Sequence, residues 1–572
     1  MAGSLLSRRE FTAAAALPVA AAPRDPELAG HWPLTGDARD HSGNGNHAIN
    51  HGVNLDTGHF DGRSAFLEVP HHASLDPGAG DFTIAAWVYA SGPVMDIPGD
   101  LVSKYDSGRR RGFSLSLSSS SGGYNGQGTE RYVFFGIDNA RSPTWEDCGR
   151  PSASSNYVSN SLTVFDGSLY AATTDGTTEQ DWSHVYRYAG GTRWHDCGRV
   201  GQGRTRGVGP LVVHDKALFA ATWSYDWTRV SKDSLDNGRV YRYRGQRDWE
   251  DCGQPGECRR LFGMASYNGA LYVVADDNRC YVWDGTRRWS PCGSFRNLVH
   301  PMLVHDGRLM VGAFGGRFPD GFRQAEVQAY DGHKWMPLGC PIQTPDREDQ
   351  IHALQSYRGV LHATTWPTGK VGAHRNGLWE DCGRLGDSSE SNALTVYNGK
   401  LYAGTIPGAE VFRYDGEQRW TRLRRFASPE VAEDAPLAAV RWGRVTSLTV
   451  FDGRLFASIG SYRSALADAP ADTRGKVFAM RAGACVCSGR ELGDGWHHVA
   501  AVRRGDRLLL LIDGKTAKSE DFPRASYDLS NSEPLKVGFG ETDYLFGKLR
   551  DVRFYRRALS VREVQRFVNA RP

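Results

Sequence analysis

The chain has 572 residues, 68 basic and 65 acidic, for a formal charge of +3. That balance excludes a global field for nucleic acid or an anionic membrane, and the length excludes one ordinary core. Glycine (67) and aromatics (11%) are abundant, and short apolar runs bounded by Gly, Asp and Asn replace long helical periodicities, which predicts a turn-rich all-β protein.

The N-terminus reads SLLSRREFTAAAALPVAAAPRD. Ser7, Arg8, Arg9 and Phe11 match the Ser-Arg-Arg-x-Phe pattern, and an Ala-rich apolar run follows from Thr12 to Ala22. The segment resembles a twin-arginine export signal over residues 1–22, which implies a periplasmic or extracellular destination. The run is too short for a permanent anchor, and no other segment suits a transmembrane helix. That route carries folded proteins, so early disulfides are not expected among the ten cysteines, and Cys148, Cys197, Cys252, Cys292 and Cys382, which share one slot of a repeated motif, are expected as buried thiols. The close pairs Cys252/Cys258 and Cys485/Cys487 leave disulfides open.

Residues 28–141 carry DHSGNGNHA (Asp40–Ala48), FDGRSAFLEVP (Phe60–Pro70) and the alternating DFTIAAWVYA (Asp81–Ala90). Alternation of Phe82, Ile84 and Ala86 with Thr83, Ala85 and Trp87 suits a sandwich strand. Trp87 and Trp496 are expected as core aromatics.

From residue 142 to 481 the chain repeats itself. WEDCG occurs at Trp145, Trp249 and Trp379, with WHDCG at Trp194 and WSPCG at Trp289. A second phrase, such as LTVFDGSLYAATT from Leu162 or LTVYNGKLYAGTI from Leu394, occurs seven times at spacings of 38 to 54 residues. Each copy is a strand, a tight Asp-Gly or Asn-Gly type turn and a second strand. A third strand such as VYRY or VFRY follows, and the Trp-x-Asp-Cys-Gly strand is the fourth. Seven such units predict a seven-bladed β-propeller. The units resemble Kelch-type and Asp-box repeats. The seventh unit lacks its fourth strand, whereas the first WEDCG copy lacks the three strands before it. Placing Trp145–Arg150 in the seventh unit closes the ring and brings the two ends of the segment together. Such a domain can be spliced into a loop of another.

Residues 482–572 carry DGWHHVAAV (Asp494–Val502), LLIDGK (Leu510–Lys515) and GKLRDVRFYRRALSVREV (Gly547–Val564). With 28–141 they resemble, in type and order of motifs, a laminin-G-like domain, a jelly roll of the concanavalin A-like class. The resemblance implies glycan or protein binding, sometimes through calcium. Asp40 and Asn44 are the calcium candidates, with a turn-forming role as the competing reading; no other cofactor is implied. The predicted fold class is therefore all-β, a seven-bladed propeller inserted into a jelly-roll sandwich.

In a propeller of this strand order, the start of each first strand and the end of each second rim one mouth of the channel. The first set is Asn160, Gly209, Phe262, His300, His352, Asn392 and Thr446. The second is Thr174, Trp223, Asp276, Phe314, Trp366, Ile406 and Gly460. Long polar loops from Ser224, Gly315, Pro341 and Ser461 lie on the same side. Trp223, Tyr225, Trp227, Phe314 and Trp366 offer aromatic surfaces, with Arg317, Arg323, Asp346, Glu348 and Asp349 nearby. This combination suits sugar rings, with Asn160 and Asn392 as further ligand contacts. His300 and His352 are the candidates for acid–base chemistry, since imidazole titrates near neutrality. Recognition of a glycan or other extracellular polymer is the expected function. Polysaccharide hydrolysis or lysis, and a protein–protein scaffold, are the alternatives. A sialidase-like reading needs an arginine cluster, a Tyr–Glu pair and an acidic Asp, which nothing in the sequence fixes.

Overall fold

The computed structural model describes residues 25–570 apart from 91, 120–125, 154–156, 175–183, 202–206, 224–236, 344–346, 427–436, 438–442, 462–474 and 524–526. The twin-arginine segment, Tyr225, Trp227, Asp346 and most of the loops from Ser224 and Ser461 lie outside the described residues. No described helix is long and apolar enough to cross a membrane.

Each repeat folds as a four-stranded antiparallel meander with strands a to d. Blade one is Tyr157–Phe165, Ser168–Thr174, His184–Tyr188 and Trp194–Arg199. The a strands of the seven units touch in turn and the last returns to the first, so the ring is closed. In blade seven, a, b and c are Gly443–Phe451, Arg454–Ser461 and Val477–Arg481. The fourth strand is Thr144–Asp147, which pairs Asp147 with Phe478 and Thr144 with Arg481.

The recurrent WEDCG holds neighbouring blades together. Its Trp Nε1, like that of Trp420 at the same place in blade six, which lacks the motif, donates to the backbone carbonyl at the Cys position of the preceding blade: Trp194 to Cys148 at 2.9 Å, Trp249 to Cys197 at 3.0 Å, Trp289 to Cys252 at 3.0 Å and Trp420 to Cys382 at 2.9 Å. Trp335 and Trp379, in blades that lack the full motif or the preceding Cys, make the same bond. The motif's Asp accepts from the Gly amide two residues on, as Asp251 does from Gly253 at 2.8 Å. Gly253 has φ +94°, and a Cβ there would stand 2.2 Å from the Arg287 carbonyl oxygen of the next blade. Glycine is therefore required both by conformation and by close approach. All ten cysteines are free, including both close pairs.

The sandwich has two seven-stranded antiparallel sheets. Trp32, Phe60, Phe82, Ile84, Phe113 and Phe135 fill the space between them. Trp87 is buried, as expected of a core aromatic, but not between the two sheets. Strand alternation turns it away from Phe82, Ile84, Ala86 and Val88, so it lies on the outer face, covered to 2% exposure by its neighbours, including His498 at 5.4 Å. Trp496 is half-buried on that same face and lines an open pocket with Trp87.

Two paired strands cross between the domains. Tyr132–Asn139 leads into the propeller and Ala484–Cys487 leads out, and they pair with each other in the sandwich. Asn398, in the Asn-Gly turn of blade six, donates from its amide to the carbonyls of Ile137 (3.0 Å) and Ala482 (2.9 Å), which pins both crossing strands.

The sandwich packs on the a–b turns. Lys216 meets Asp494 at 2.9 Å, Asp452 meets Lys518 at 2.5 Å, and Lys400 donates to the Ser107 carbonyl at 3.0 Å. A Cβ on Gly399 would meet the Tyr105 ring at 2.5 Å, whereas one on Gly269 would meet nothing. Some turn glycines thus serve docking as well as the turn.

Two buried histidines away from the channel set an acid limit. Burial holds His362 and His498 at a pKa of about 4, below the ordinary 6.5. Each favours the fold while neutral, so its contribution is complete above pH 6.5 and is lost as pH falls from 6.5 towards 4. Between pH 7 and pH 5 the loss is about 2 kcal/mol for each residue. The urea midpoint should drop over that interval, and His362→Gln with His498→Gln should flatten the dependence. An unchanged slope in the double variant would refute this origin.

Candidate functional site

The face opposite the sandwich carries the channel mouth. A strand presents alternate residues to one side, so the ring residues have companions two positions earlier. Phe262, His300, His352, Asn392 and Thr446 form a floor, all 5% exposed or less. Arg260, Gln350, Glu390 and Arg444 stand one step above and are partly exposed. The sequence reading missed this upper set, although the period-two rule that located the floor also locates it.

The two histidines meet: His300 Nδ1 lies 3.3 Å from His352 Nδ1. His352 Nε2 lies 2.6 Å from Gln350 Oε1 and 3.2 Å from Glu390 Oε1. A neutral His352 that donates from Nε2 to these oxygens has a bare Nδ1, which accepts from the Nδ1–H of His300. Burial holds both rings below the ordinary imidazole range; His352 and Arg260 add to the effect on His300, while Glu390 partly opposes it on His352. The rings are therefore neutral near pH 7, in a chain Glu390–His352–His300. Aromatic walls enclose them: Phe262 stacks on His300 at 4.2 Å, and Phe314 lies 4.2 Å from His300 and 5.3 Å from His352.

The other expected residues fall in different places. Trp366 and Phe314 are half-buried at the rim. Arg317 is exposed on a small flap, Gly316–Phe318 paired with Gly321–Arg323, and Arg323 is tied to Asp320 at 2.7 Å. Glu348 is fully buried, with the Thr368 hydroxyl on its carboxylate, and burial raises its pKa. Asp349 is half-buried and is raised by the same cause. The Asn160 side chain is outside the described residues. Asn392 is fully buried on the floor, and neither its amide oxygen nor its nitrogen has a hydrogen-bond partner among the described residues.

One expectation is corrected. Trp223 is not an open plate: it is 5% exposed, with the Arg260 guanidinium 4.4 Å from its ring. Arg260 sits at the same distance from Phe262 and covers both. Asp40 and Asn44, the calcium candidates, are engaged as turn formers, which is the competing reading. The Asp40 carboxylate accepts from the backbone of His31, Ser42 and Asn46 and from the Ser42 hydroxyl, while the Asn44 amide donates to the Leu28 carbonyl. Burial opposes ionisation of Asp40, but those hydrogen bonds hold its pKa below the usual value. Both side chains shape the turn, and calcium would need six to eight oxygens.

A second concavity lies on the sandwich. Trp87, Trp496, His497, Asp494, Asp513 and Arg550 line an open pocket of 660 Å³. The Arg550 guanidinium lies 5.3 Å from the Trp496 ring, and His497 Nδ1 lies 2.8 Å from Asp513 Oδ2.

The architecture defines an all-β protein in which a propeller interrupts a concanavalin A-like sandwich. A family model described as the concanavalin A-like lectin/glucanases superfamily matches residues 427–565. That span crosses the splice, taking in blade-seven strands before it reaches the sandwich. No curated protein sequence matches the chain. Among solved structures, the chain is similar to a catalytically inactive virginiamycin B lyase from Staphylococcus aureus with quinupristin (10% identity, 59% of this chain and 99% of that one, TM-score 0.44). It is similar also to YCF48 bound to D1 peptide (12%, 59% and 96%, 0.39) and to the WD40 propeller domain of Doa1 (10%, 59% and 96%, 0.38). Likenesses this distant carry nothing about chemistry.

Proposed function

We propose that the protein is an exported recognition protein for a glycan or related extracellular polymer, and that the uncovered propeller mouth is its binding face. Export follows from the Ser7–Phe11 motif and is part of the proposal. The observation supporting the binding face is the channel mouth itself. The sandwich covers the turn face, while the other end presents Arg260, Gln350, Glu390 and Arg444 above an aromatic and imidazole floor. Flat apolar rims with charged hydrogen-bonding groups beside them suit sugar rings, and the mixed charge suits a polymer with acidic or amide substituents. The Glu390–His352–His300 chain favours a second reading, polysaccharide hydrolysis or lysis with a neutral imidazole as base.

The test is a panel of neutral, uronate-containing and sulfated polysaccharides, scored for binding and for new chain ends. The proposal expects saturable binding to at least one class, weakened by Glu390→Gln without loss of folding. Release of new ends would favour the enzyme reading. Silence across the panel together with capture of a defined protein partner would favour a scaffold and overturn the proposal.

A further inference from the structure

We propose that Asp96, His305 and Asp543 form a divalent transition-metal site, with zinc as the best-fitting ion, which ties both halves of the sandwich to blade four. The three come from separate parts of the chain. Asp96 follows the strand Phe82–Tyr89 in the first sandwich half, His305 ends strand a of blade four, and Asp543 precedes the last sandwich strand, Phe546–Tyr555. One potential ligand atom from each lies within 4.8 Å of the others.

Three observations point to an ion. First, Asp543 is 1% exposed, yet its Oδ2 has no hydrogen-bond partner among the described residues; it faces His305 Nδ1 at 3.5 Å. Tetrahedral zinc with bonds of about 2.0–2.1 Å separates its ligand atoms by about 3.4 Å, close to that spacing. Second, two carboxylates share the place, Asp96 at 3% exposure and Asp543 at 1%, with ligand atoms within 4.8 Å of each other. A cation relieves their repulsion. Third, Asp96 is already oriented, since its carboxylate accepts from the backbone N–H of Ile97, Asp306 and Gly307 at 2.8, 3.1 and 3.0 Å. The Ser356 hydroxyl lies 2.6 Å from His305 Nδ1 and must turn away for that nitrogen to ligate.

The donor set chooses the ion. One imidazole and two carboxylates suit zinc or a similar transition ion, whereas calcium needs more oxygens than are present. A pocket of 590 Å³, lined by His305, Asp543, Tyr544 and Arg63, leads from solvent to the site. It provides a path for the ion and room for water as the fourth ligand.

The test uses the full chain, stripped with chelator and titrated with zinc chloride, with bound metal counted after gel filtration. The expected result is one zinc per chain and a higher melting temperature with zinc than without. Asp543→Asn and His305→Ala should each weaken binding at least tenfold, while Asp306→Ala, next to the site but outside the ligand set, should keep it. If a ligand variant misfolds, cobalt bound to the parent chain decides: tetrahedral visible bands displaced by one equivalent of zinc are expected. Zinc binding below half an equivalent, or equal binding by parent and both ligand variants, would overturn the proposal. So would cobalt spectra without tetrahedral bands.

Discussion

Phe426→Ala is expected to lower stability by about 3–5 kcal/mol, the scale for an emptied aromatic site in a core. Phe426 is 2% exposed at the end of blade six and lies where the ring is closed. Its ring meets Trp145 edge-on at 5.1 Å and Phe478 at 4.6 Å, and the Arg424 guanidinium lies 5.1 Å away. Trp145 belongs to the clasp strand and Phe478 to the strand it pairs with, so one side chain touches both sides of the splice. The same contact occurs between blades three and four, where Phe295 meets Trp335 at 5.0 Å. There Trp335 also donates to the Cys292 carbonyl at 2.9 Å, whereas Trp145 Nε1 has no acceptor among the described residues. Phe426→Ala and Trp145→Ala should therefore couple by about 0.5–1.5 kcal/mol in a double-mutant cycle. Trp335→Phe should cost about 1–3 kcal/mol by stranding a carbonyl, and Trp145→Phe should cost less. Urea unfolding of the four single variants and of the Phe426→Ala/Trp145→Ala double variant measures all of this. Equal costs for the two Trp→Phe changes would refute the difference between splice and ordinary blade junction.

Removal of either imidazole at the mouth is expected to weaken polymer binding by about tenfold or more, with far less effect on folding. Loss of the Trp366 ring should act on the same scale, because a stacked aromatic partner contributes about 0.5–1.5 kcal/mol beyond its area. His300 and His352 are in contact, so His300→Ala with His352→Ala should lose less than the sum of the single changes. Lys216→Ala on the covered face removes only an exposed, solvent-screened ion pair with Asp494 and should leave affinity unchanged. Titration of each variant with the polysaccharide bound by the parent gives the comparison. If all three mouth variants bind like the parent while Trp496→Ala abolishes binding, the sugar site is the sandwich pocket and the propeller assignment is wrong.

The sequence by itself determined the all-β class and the repeated four-stranded units, and it led to the expectation of seven blades and a splice. Turn residues and strand alternation are local, and a repeat displays them seven times over. The missing fourth strand after Lys476–Met480 and the solitary WEDCG at Trp145 then left one way to close the ring. Alternation also located the floor of the mouth, because residues two apart on a strand share a side. What covers a side chain from outside its own blade has no period. Trp223 reads as an open ring, yet Arg260 from blade three lies over it, and Trp87 reads as core, yet only the placement of the opposing sheet decides which face of its own sheet buries it. The turn glycines read as turn formers alone, although Gly399 also lacks a side chain because Tyr105 occupies that space. The trio Asp96, His305 and Asp543 left no trace in the sequence. Its members are separated by 209 and 238 residues, and only docking of the sandwich on the a–b turns brings them within 4.8 Å. Tertiary structure alone decides such contacts, because they depend on how two finished surfaces meet and not on the pattern that builds either one.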